Sequence, residues 1–367
     1  MKKILMAVLA LALLFTACTQ RSTVAESAEP TPTPTLSATP APTPTPTPVP
    51  TPPPTPEVTP EPIRHPLTGE VIDEALTARP LAIMINNHPQ AQPQCGIAAA
   101  DLIYEILAEG GVTRMMAIVT DPTSVQRFGS MRSLRPYYLE VGLSYGGVIV
   151  HAGGSDQAYS DLSAKHADNL DGVRGANAGS YFYRDNYRVQ AGFPLEHTLF
   201  INSDSLLKYA AARGISLESD TPYDFGLSFA EDAAPDGDAA EKVTVTFVPG
   251  KPSSFTYHSG SDSYTMVQYG AEYKDGDTGK SIEFKNLLVL EAIHRTLDSY
   301  GRREVNLVGE GAGYFFCGGK YVPITWHRDG LGKQFYYTDA DGDPLALGIG
   351  RTYVGIVPTG NYGLEIQ

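Results

Sequence analysis

A long proline-rich tract separates the start of this chain from the part that can fold. Residues 30–62 are mostly Thr-Pro and Ala-Pro, and they hold 15 of the 29 prolines in the 367-residue sequence. Proline fixes φ and lacks an amide donor, so neither a helix nor a sheet can form there. We expect an extended polyproline II spacer, about 100 Å long at roughly 3.1 Å per residue. The fold is therefore predicted to begin after this tract.

The residues before the tract are typical of an export signal. Lys2 and Lys3 precede the apolar run ILMAVLALALLF, which is too short to span a bilayer as a permanent helix. Residues 15–17 read Phe-Thr-Ala and stand directly before Cys18, which is the arrangement of a bacterial lipoprotein cleavage site. We expect acylation of Cys18, with palmitate among the chains, to hold the protein at the outer face of the bacterial cytoplasmic membrane. Ordinary secretion with cleavage nearby is the alternative.

Patterning divides the rest of the chain into two parts. Residues 66–228 alternate strand-like and helix-like segments, which is typical of an α/β domain. An acidic linker over 229–241 follows, and then 242–367 show alternating β-branched and aromatic runs divided by Gly and Asp turns. The predicted fold class is α+β: an N-terminal α/β domain, then a mostly antiparallel β domain, a small barrel or sandwich. Both come after a signal peptide (1–17) and a disordered Pro/Thr-rich linker that begins at the lipidated cysteine (18–65).

The formal net charge of −14 limits the partners of the folded part. The segment up to residue 65 is charge-balanced, so the excess of acidic groups belongs to the two predicted domains. An acidic surface argues against nucleic-acid binding and against adsorption to an anionic membrane surface. The expected contacts are therefore the membrane, through the lipid anchor, and either an anionic cell-wall polymer or an envelope protein.

The two remaining cysteines, Cys95 and Cys317, show no CxxC spacing and no Cys/His metal framework. We expect two separate buried thiols, with a disulfide between them as the alternative. The sequence also lacks the GxSxG, HExxH and P-loop patterns. We expect neither a metal nor a cofactor.

The first apolar run, LAIMINN, predicts a buried strand that ends in Asn86 and Asn87, followed by His88. Polar residues at the carboxyl end of a parallel strand often face a ligand, although turn chemistry before a proline is an equal alternative. A second predicted strand, GVIVHAGG, carries His151 near its end. If the two strands are parallel, His88 and His151 would meet at one sheet edge.

The next segment, DLIYEILAEGGVTRMMAIVT, predicts a β-hairpin that turns at Gly110 and Gly111. Glu105 and Glu109 would then share one face of a strand, with Arg114 near the turn. Such a carboxylate pair could perform general acid/base work. The alternative, which we favour, is that both carboxylates form ion pairs with nearby arginines.

Arg132 and Arg135 lie at the predicted start of a helix, since Pro136 suits the first helical position. Free amides and the helix dipole favour an anion there, and two guanidinium groups could hold a carboxylate or phosphate. Ser133 could cap the helix or bind the same anion. The alternative is structural ion pairing with Glu105, Glu109 or Glu140.

Several long stretches resemble the YerB-like bacterial lipoproteins, a two-domain family of unknown function. The similar segments include RPLAIMINNHPQAQPQCG, ADLIYEILAEGGVTR, GSMRSLRPYYLE, VNLVGEGAGYFFCGGKYVPITW and LALGIGRTYVGIVP, within residues 66–367. The resemblance implies a lipid-anchored extracytoplasmic protein and no known activity. Relatives tend to read Pro-His-Asn where this chain has Glu196, His197 and Thr198, so the family pattern does not carry a site role for His197.

The leading hypothesis is a non-enzymatic binding or scaffold lipoprotein of the cell envelope with an anion-binding cleft in its N-terminal domain. The predicted ligand-binding residues are Asn86, Asn87, Arg114, Arg132, Ser133 and Arg135. The alternative is a cell-wall hydrolase or transferase that uses Glu105, Glu109 and His151 beside the arginines. A third hypothesis makes the β domain a protein-docking module.

Overall fold

Residues 61–367 are described by the structure, which is a computed structural model. The predicted export signal, Cys18 and nearly all of the proline-rich tract lie outside these residues. Strands outnumber helices throughout the described chain. No helix within it is both long and apolar enough to cross a membrane.

The N-terminal half contains strands β1 (Leu81–Asn87), β2 (Leu102–Leu107), β3 (Thr113–Val119), β4 (Arg127–Gly129), β5 (Val148–His151), β6 (Asn169–Asp171), β7 (Phe182–Arg184), β8 (Leu199–Asn202) and β9 (Ser228–Ala230). Its α-helices are α1 (Pro136–Ser144), α2 (Asp156–Ala164), α3 (Asn186–Gln190) and α4 (Ser203–Ala212). The C-terminal half contains β10 (Asp238–Ala239), β11 (Lys242–Thr246), β12 (Pro252–His258), β13 (Ser263–Gln268), β14 (Ala271–Glu272), β15 (Glu283–Phe284), β16 (Asn286–Thr296), β17 (Arg303–Asn306), β18 (Gly309–Cys317), β19 (Lys320–Arg328), β20 (Tyr336–Thr338), β21 (Ala346–Gly348), β22 (Thr352–Pro358) and β23 (Gly363–Ile366).

The predicted hairpin and the predicted helix start at Pro136 are confirmed, and local chemistry explains both. β2 and β3 pair in antiparallel fashion across a turn in which Gly110 and Gly111 both have φ of 70°, a left-handed conformation that glycine adopts at low cost. α1 begins at Pro136, where a missing amide breaks no helical bond. α2 follows Ser155, whose hydroxyl accepts a hydrogen bond from the amide of Ala158.

One mixed sheet joins the two halves of the chain. Its strand order is β10-β19-β18-β16-β22-β2-β3-β1-β5-β6. The junction is the parallel pair of β2 with β22, in which Leu102 faces Thr352. The prediction that residues 242–367 form a barrel or sandwich by themselves is therefore wrong. Their long strands extend the N-terminal sheet, a pairing between distant segments that local alternation cannot reveal.

Both faces of this shared sheet are covered. A second sheet, β14-β13-β12-β11-β23 with β15 beside β13, packs on one face, so Phe255 lies in the same core as Ile83. α1 and α2 pack on the other face, where Tyr138 joins Met84. Successive side chains of a strand point to opposite faces, so β1–β3 bury residues on both sides. The described residues fall within one compact unit.

The two cysteines of the described chain are free and buried, which confirms the prediction of separate thiols. Burial raises the pKa of Cys95 to about 12 and that of Cys317 to about 11. Neither thiol is therefore ionised at neutral pH, and neither has the character of a nucleophile.

Candidate functional site

The predicted site residues separate into two polar clusters on opposite faces of β1–β3. Asn87 and Glu105 point toward the second sheet and are hydrogen-bonded to each other. Asn86 and Arg114 face each other in the β1–β3 register and point toward the α1 side. The candidates therefore cannot line a single cleft, since the sheet itself lies between the two sets.

The first cluster surrounds the fully buried carboxylate of Glu105, and we call it the Glu105 cluster. The carboxylate accepts hydrogen bonds from Lys251 Nζ at 2.9 Å, Tyr353 Oη at 2.8 Å and Gln268 Nε2 at 3.0 Å. Further donors to the carboxylate are Asn87, Thr113 and Ser253. Lys251 is itself only 3% exposed. The carboxylate of Glu105 is thus paired with Lys251 and has a hydrogen-bond donor for each lone pair. It lies in the N-terminal half of the chain, and Lys251 lies in the C-terminal half.

This environment differs from the one predicted for Glu105. The expectation that Glu105 and Glu109 share one strand face is wrong, because Glu109 lies in the hairpin turn beyond the end of β2. The ion-pair alternative is also wrong about the partner, which is Lys251 rather than an arginine. Glu105 is out of reach of solvent and has no free lone pair directed at a cleft.

Glu109 belongs to the second cluster, where two arginines neutralise it. Arg114 Nη2 and Arg135 Nη2 each donate to Oε2 at 2.9 Å, and Arg135 Nε also donates to Oε1. Burial raises the pKa of Glu109, but the hydrogen bond from Arg135 and the charge of Arg114 outweigh it, so the pKa lies below its ordinary value. For Glu109 the favoured ion-pair alternative agrees with the structure. A carboxylate held ionised is poorly suited to act as a general acid.

Arg132 enters the same face from a segment that pairs with the end of β1. Its amide donates to the carbonyl of Met84 at 3.0 Å, within an antiparallel pairing of residues 130–132 with 84–86. Opposed side chains of such a pair share a face, so Arg132 emerges on the side of Asn86. Arg114 crosses β1 on this side, and its Nη1 donates to the carbonyl of Ser133 at 2.8 Å.

The guanidinium of Arg132 differs from those of its neighbours because it has no hydrogen-bond or ion-pair partner within residues 61–367. The side chain is half-buried. Burial lowers the pKa of Arg132, and the charge of Arg135 lowers it further, against the opposing effect of Glu196. A cation that is partly withdrawn from water and has no carboxylate bonded to it is the kind of group that binds an anion.

The helix start itself does not form the predicted anion site. α1 begins at Pro136, which has no amide hydrogen to offer, and its N-cap is Arg135, whose guanidinium is held by Glu109. Ser133 does not cap the helix, contrary to that prediction. The unpaired guanidinium of Arg132 lies four positions earlier, beside β1 rather than at the helix terminus.

Two histidines complete the second cluster. The rings of His88 and His197 stack with centroids 4.9 Å apart and planes 18° apart, and Asn86 Nδ2 donates to His197 Nδ1 at 2.7 Å. Burial lowers the pKa of both imidazoles, and the charge of Arg132 lowers both further. His197 is also affected by its neighbour His88, and its pKa falls to about 4. Both rings are therefore neutral at pH 7. The sequence could not predict that His197 contacts β1, since the loop that carries His197 follows β1 by more than a hundred residues.

We call this second set the Arg132 cluster. Its members are Asn86, His88, Glu109, Arg114, Arg132, Arg135 and His197. Three arginines stand against Glu109 and the neighbouring, exposed Glu196, so this region is positive within a chain of net charge −14. Tyr300, which is 76% exposed, lies on the β16–β17 turn of the C-terminal half and is close enough to affect the pKa of Arg132. The cluster thus lies where both halves of the chain meet.

His151 lies apart from both clusters. Its strand is parallel to β1, which was the condition for His151 to meet His88, but its ring is fully buried. Nδ1 contacts the carbonyl of Gly153 at 2.9 Å, and Nε2 contacts Oδ1 of Asn169 at 3.3 Å. The structure therefore does not bring together Glu105, Glu109 and His151, the three residues of the predicted hydrolase site.

The fold and these clusters define a β-rich protein whose two parts share a sheet, and sequence comparison supplies the family. Residues 67–216 match the N-terminal domain, and residues 243–354 the C-terminal domain, of a family described as "Protein of unknown function (DUF3048)". The chain belongs to this family.

Two comparisons confirm the resemblance to the YerB-like proteins. "Putative lipoprotein YerB" of Bacillus subtilis (strain 168) is 30% identical over 298 residues, which cover 80% of this chain and 86% of that protein. The crystal structure of YerB protein from Bacillus subtilis is 28% identical with a TM-score of 0.72, and the match covers 83% of this chain and 99% of that chain.

Proposed function

We propose that this protein is a membrane-anchored lipoprotein of the bacterial cell envelope that binds an anionic group at the Arg132 cluster. The anchor is supported by the cleavage-site pattern before Cys18 and by the word lipoprotein in the name of the Bacillus subtilis relative. The proline-rich spacer would carry the folded part away from the bilayer. Replacement of Cys18 by alanine should release the protein from the membrane fraction, and retention there would contradict the anchor.

One observation carries the binding proposal: among the described residues no carboxylate forms an ion pair with Arg132, although Glu196 and Glu109 lie near enough to raise its pKa, whereas Arg114 and Arg135 are both bound to Glu109. A guanidinium can bind a carboxylate or phosphate through two parallel hydrogen bonds. Partial burial strengthens such a bond because less water competes for the charge. Glu109 fixes the two neighbouring arginines and leaves Arg132 to the ligand.

The ligand that fits this site is a carboxylate or phosphate group of a cell-wall polymer. The rest of the folded chain is acidic and would repel a polyanion. A bound polymer would therefore place one anionic group at the Arg132 cluster rather than adsorb over the surface. Because the interaction is largely electrostatic, it should weaken as salt is added.

Cosedimentation with purified cell-wall material tests the proposal. Arg132→Gln should abolish binding, because it removes the unpaired cation and retains a polar side chain of similar length. The matched control is Arg295→Gln, since Arg295 is 70% exposed and pairs only with Glu304 on the surface. Equal binding by the wild type and Arg132→Gln would overturn the proposal.

A further inference from the structure

The stacked imidazoles of His88 and His197 stand next to the unpaired guanidinium without contributing charge to it. The amide of Asn86 donates to Nδ1 of His197, so this nitrogen carries no proton in the structure. Nδ1 of His88 likewise accepts a hydrogen bond, from the amide of Gln90. The geometry therefore holds a pair of neutral rings beside a cation.

The charged groups that face this pair explain its neutral state. Arg132 is close enough to lower the pKa of both rings, and a charge on His88 lowers that of His197 more than Arg132 does. Arg188 also lowers the pKa of His197, and its Nη1 donates to the carbonyl of His197 at 3.1 Å. Glu196, which is exposed, is the opposing carboxylate for both rings. Two cations and burial thus act against protonation, and one solvated carboxylate acts in its favour.

A bound anion would reverse this balance. An oxyanion on Arg132 would offset the nearest positive charge and place a negative charge beside the rings. A protonated ring could then donate a charge-assisted hydrogen bond to the anion. A proton on Nδ1 of His197 would require the amide of Asn86 to turn, which would break its bonds to the amide of His88 and the carbonyl of Glu196. His88 has no such restraint from Asn86 on its ring.

We propose that the stacked rings of His88 and His197 form a second, proton-dependent part of the anion site beside Arg132, so that an oxyanion binds more tightly as the pH falls. This inference rests on the proposed function, because it takes anion binding at Arg132 as given. Linkage makes the effect reciprocal: if the anion raises the pKa of a histidine, protonation tightens the anion by the same factor. Each unit of pKa increase corresponds to about a tenfold gain in affinity.

The direction of the effect follows from the depressed pKa values. Above the pKa that a histidine has in the complex, the ring is neutral in both states, and affinity does not depend on its proton. As the pH falls below that value, affinity rises. It becomes constant again below the pKa of the free protein, which is about 4 for His197. The gain should therefore begin in mildly acidic solution and grow until the pH reaches about 4.

Sulfate is a suitable probe because its charge is constant over this pH range. The dissociation constant of sulfate would be measured on the purified whole chain at about pH 5 and about pH 7.5, at constant ionic strength. For a rise of one unit from about 4 in the pKa of His197, we expect binding to be about twofold tighter at pH 5 than at pH 7.5, because the tenfold limit is reached only below the pKa of the free ring. His88→Gln should reduce this ratio, since His88 is half-exposed and tolerates a polar replacement.

Two further measurements separate the histidines from other groups. NMR titration of the imidazole C–H signals, with and without sulfate, should show the pKa of His88 or His197 rising on binding. Glu196→Gln serves as the control for a carboxylate effect, and it should keep the pH dependence. Loss of the pH dependence in Glu196→Gln, with unchanged histidine titrations, would assign the effect to Glu196 and overturn the inference.

The outcomes distinguish the two proposals. Absence of sulfate binding at either pH, or equal binding by Arg132→Gln, would remove the proposed function and the inference together. Binding that requires Arg132 but has the same affinity at both pH values would overturn the inference alone.

Discussion

The Glu105 cluster and the Arg132 cluster lie on opposite faces of the same three strands, and they differ in how completely their charges are paired. Glu105 has Lys251 and a full set of donors, under the cover of the second sheet. Arg132 has no partner within residues 61–367 and remains half-exposed. A charge deep in the core must be paired within the protein, whereas a charge that still contacts water can remain unpaired until a ligand binds.

This difference shows which polar group supports a functional inference. Glu105 collects more polar neighbours than any other predicted catalytic residue, but each neighbour satisfies it and leaves nothing for a substrate. The Arg132 cluster has fewer contacts and one unmet charge. Incomplete pairing, rather than the number of polar residues, therefore indicates the binding site.

The largest expected effect comes from breaking the paired cluster. Glu105→Ala should lower the free energy of unfolding by about 3–5 kcal/mol, because it leaves the ammonium of Lys251 buried without a counter-ion. Urea denaturation would measure the loss. Glu304→Ala is the control, since Glu304 forms an exposed surface pair and its removal should leave stability unchanged within error.

A double variant tests whether the buried pair itself is responsible. Glu105→Gln combined with Lys251→Met removes both charges, so it should cost less stability than Glu105→Ala. If the double variant is the less stable of the two, the loss reflects packing and hydrogen bonds rather than an uncompensated charge.

A smaller effect is expected at Glu109, which is paired but lies nearer to solvent. Glu109→Gln should lower the free energy of unfolding by about 1.5–3 kcal/mol at neutral pH, the usual contribution of hydrogen bonds to a charged group. The pKa of Glu109 lies below its ordinary value, so its stabilisation is present above the unfolded-state pKa of about 4.3 and is lost as the pH falls through the folded-state pKa.

The stabilisation by Glu109 should depend on pH in a definite direction. The stability difference between the wild type and Glu109→Gln should be constant near neutral pH and should shrink in acid. Urea denaturation at a series of pH values would measure it. A difference that stays constant down to about pH 3 would mean that the charge of Glu109 does not stabilise the fold.

Local patterns predicted the parts of the fold that local chemistry determines. Gly110 and Gly111 marked the hairpin turn because glycine permits a left-handed backbone, and Pro136 marked the start of α1 because proline fixes φ at a helical value. The pairing of β2 with β22 could not be predicted in this way. Nothing near Leu102 in the sequence indicates that its neighbour in the sheet is Thr352.

The same limit applies to the site. Alternation places Asn86 and Asn87 on opposite faces of β1, and this much follows from the sequence. Which face receives Lys251 and which receives His197 depends on distant segments that pack there. Arg132 and Arg135 looked equivalent because both precede Pro136. The hairpin turn carries Glu109 to Arg135, and that contact alone makes them different.

The smallest effect on stability is expected at Arg132, and it is the strictest test of the comparison. Arg132→Gln should leave the free energy of unfolding within about 0.5 kcal/mol of the wild type, because it breaks no hydrogen bond or ion pair of the described chain. A slight gain in stability would also agree, since the variant removes a partly buried cation that is repelled by Arg135.

The matched change, Arg135→Gln, should be clearly destabilising, because of the two arginines that bind Glu109 only Arg114 would remain. Denaturation of the two variants side by side measures the contrast. Equal losses in both would mean that Arg132 already has a structural partner, and an anion would then have no free charge to bind.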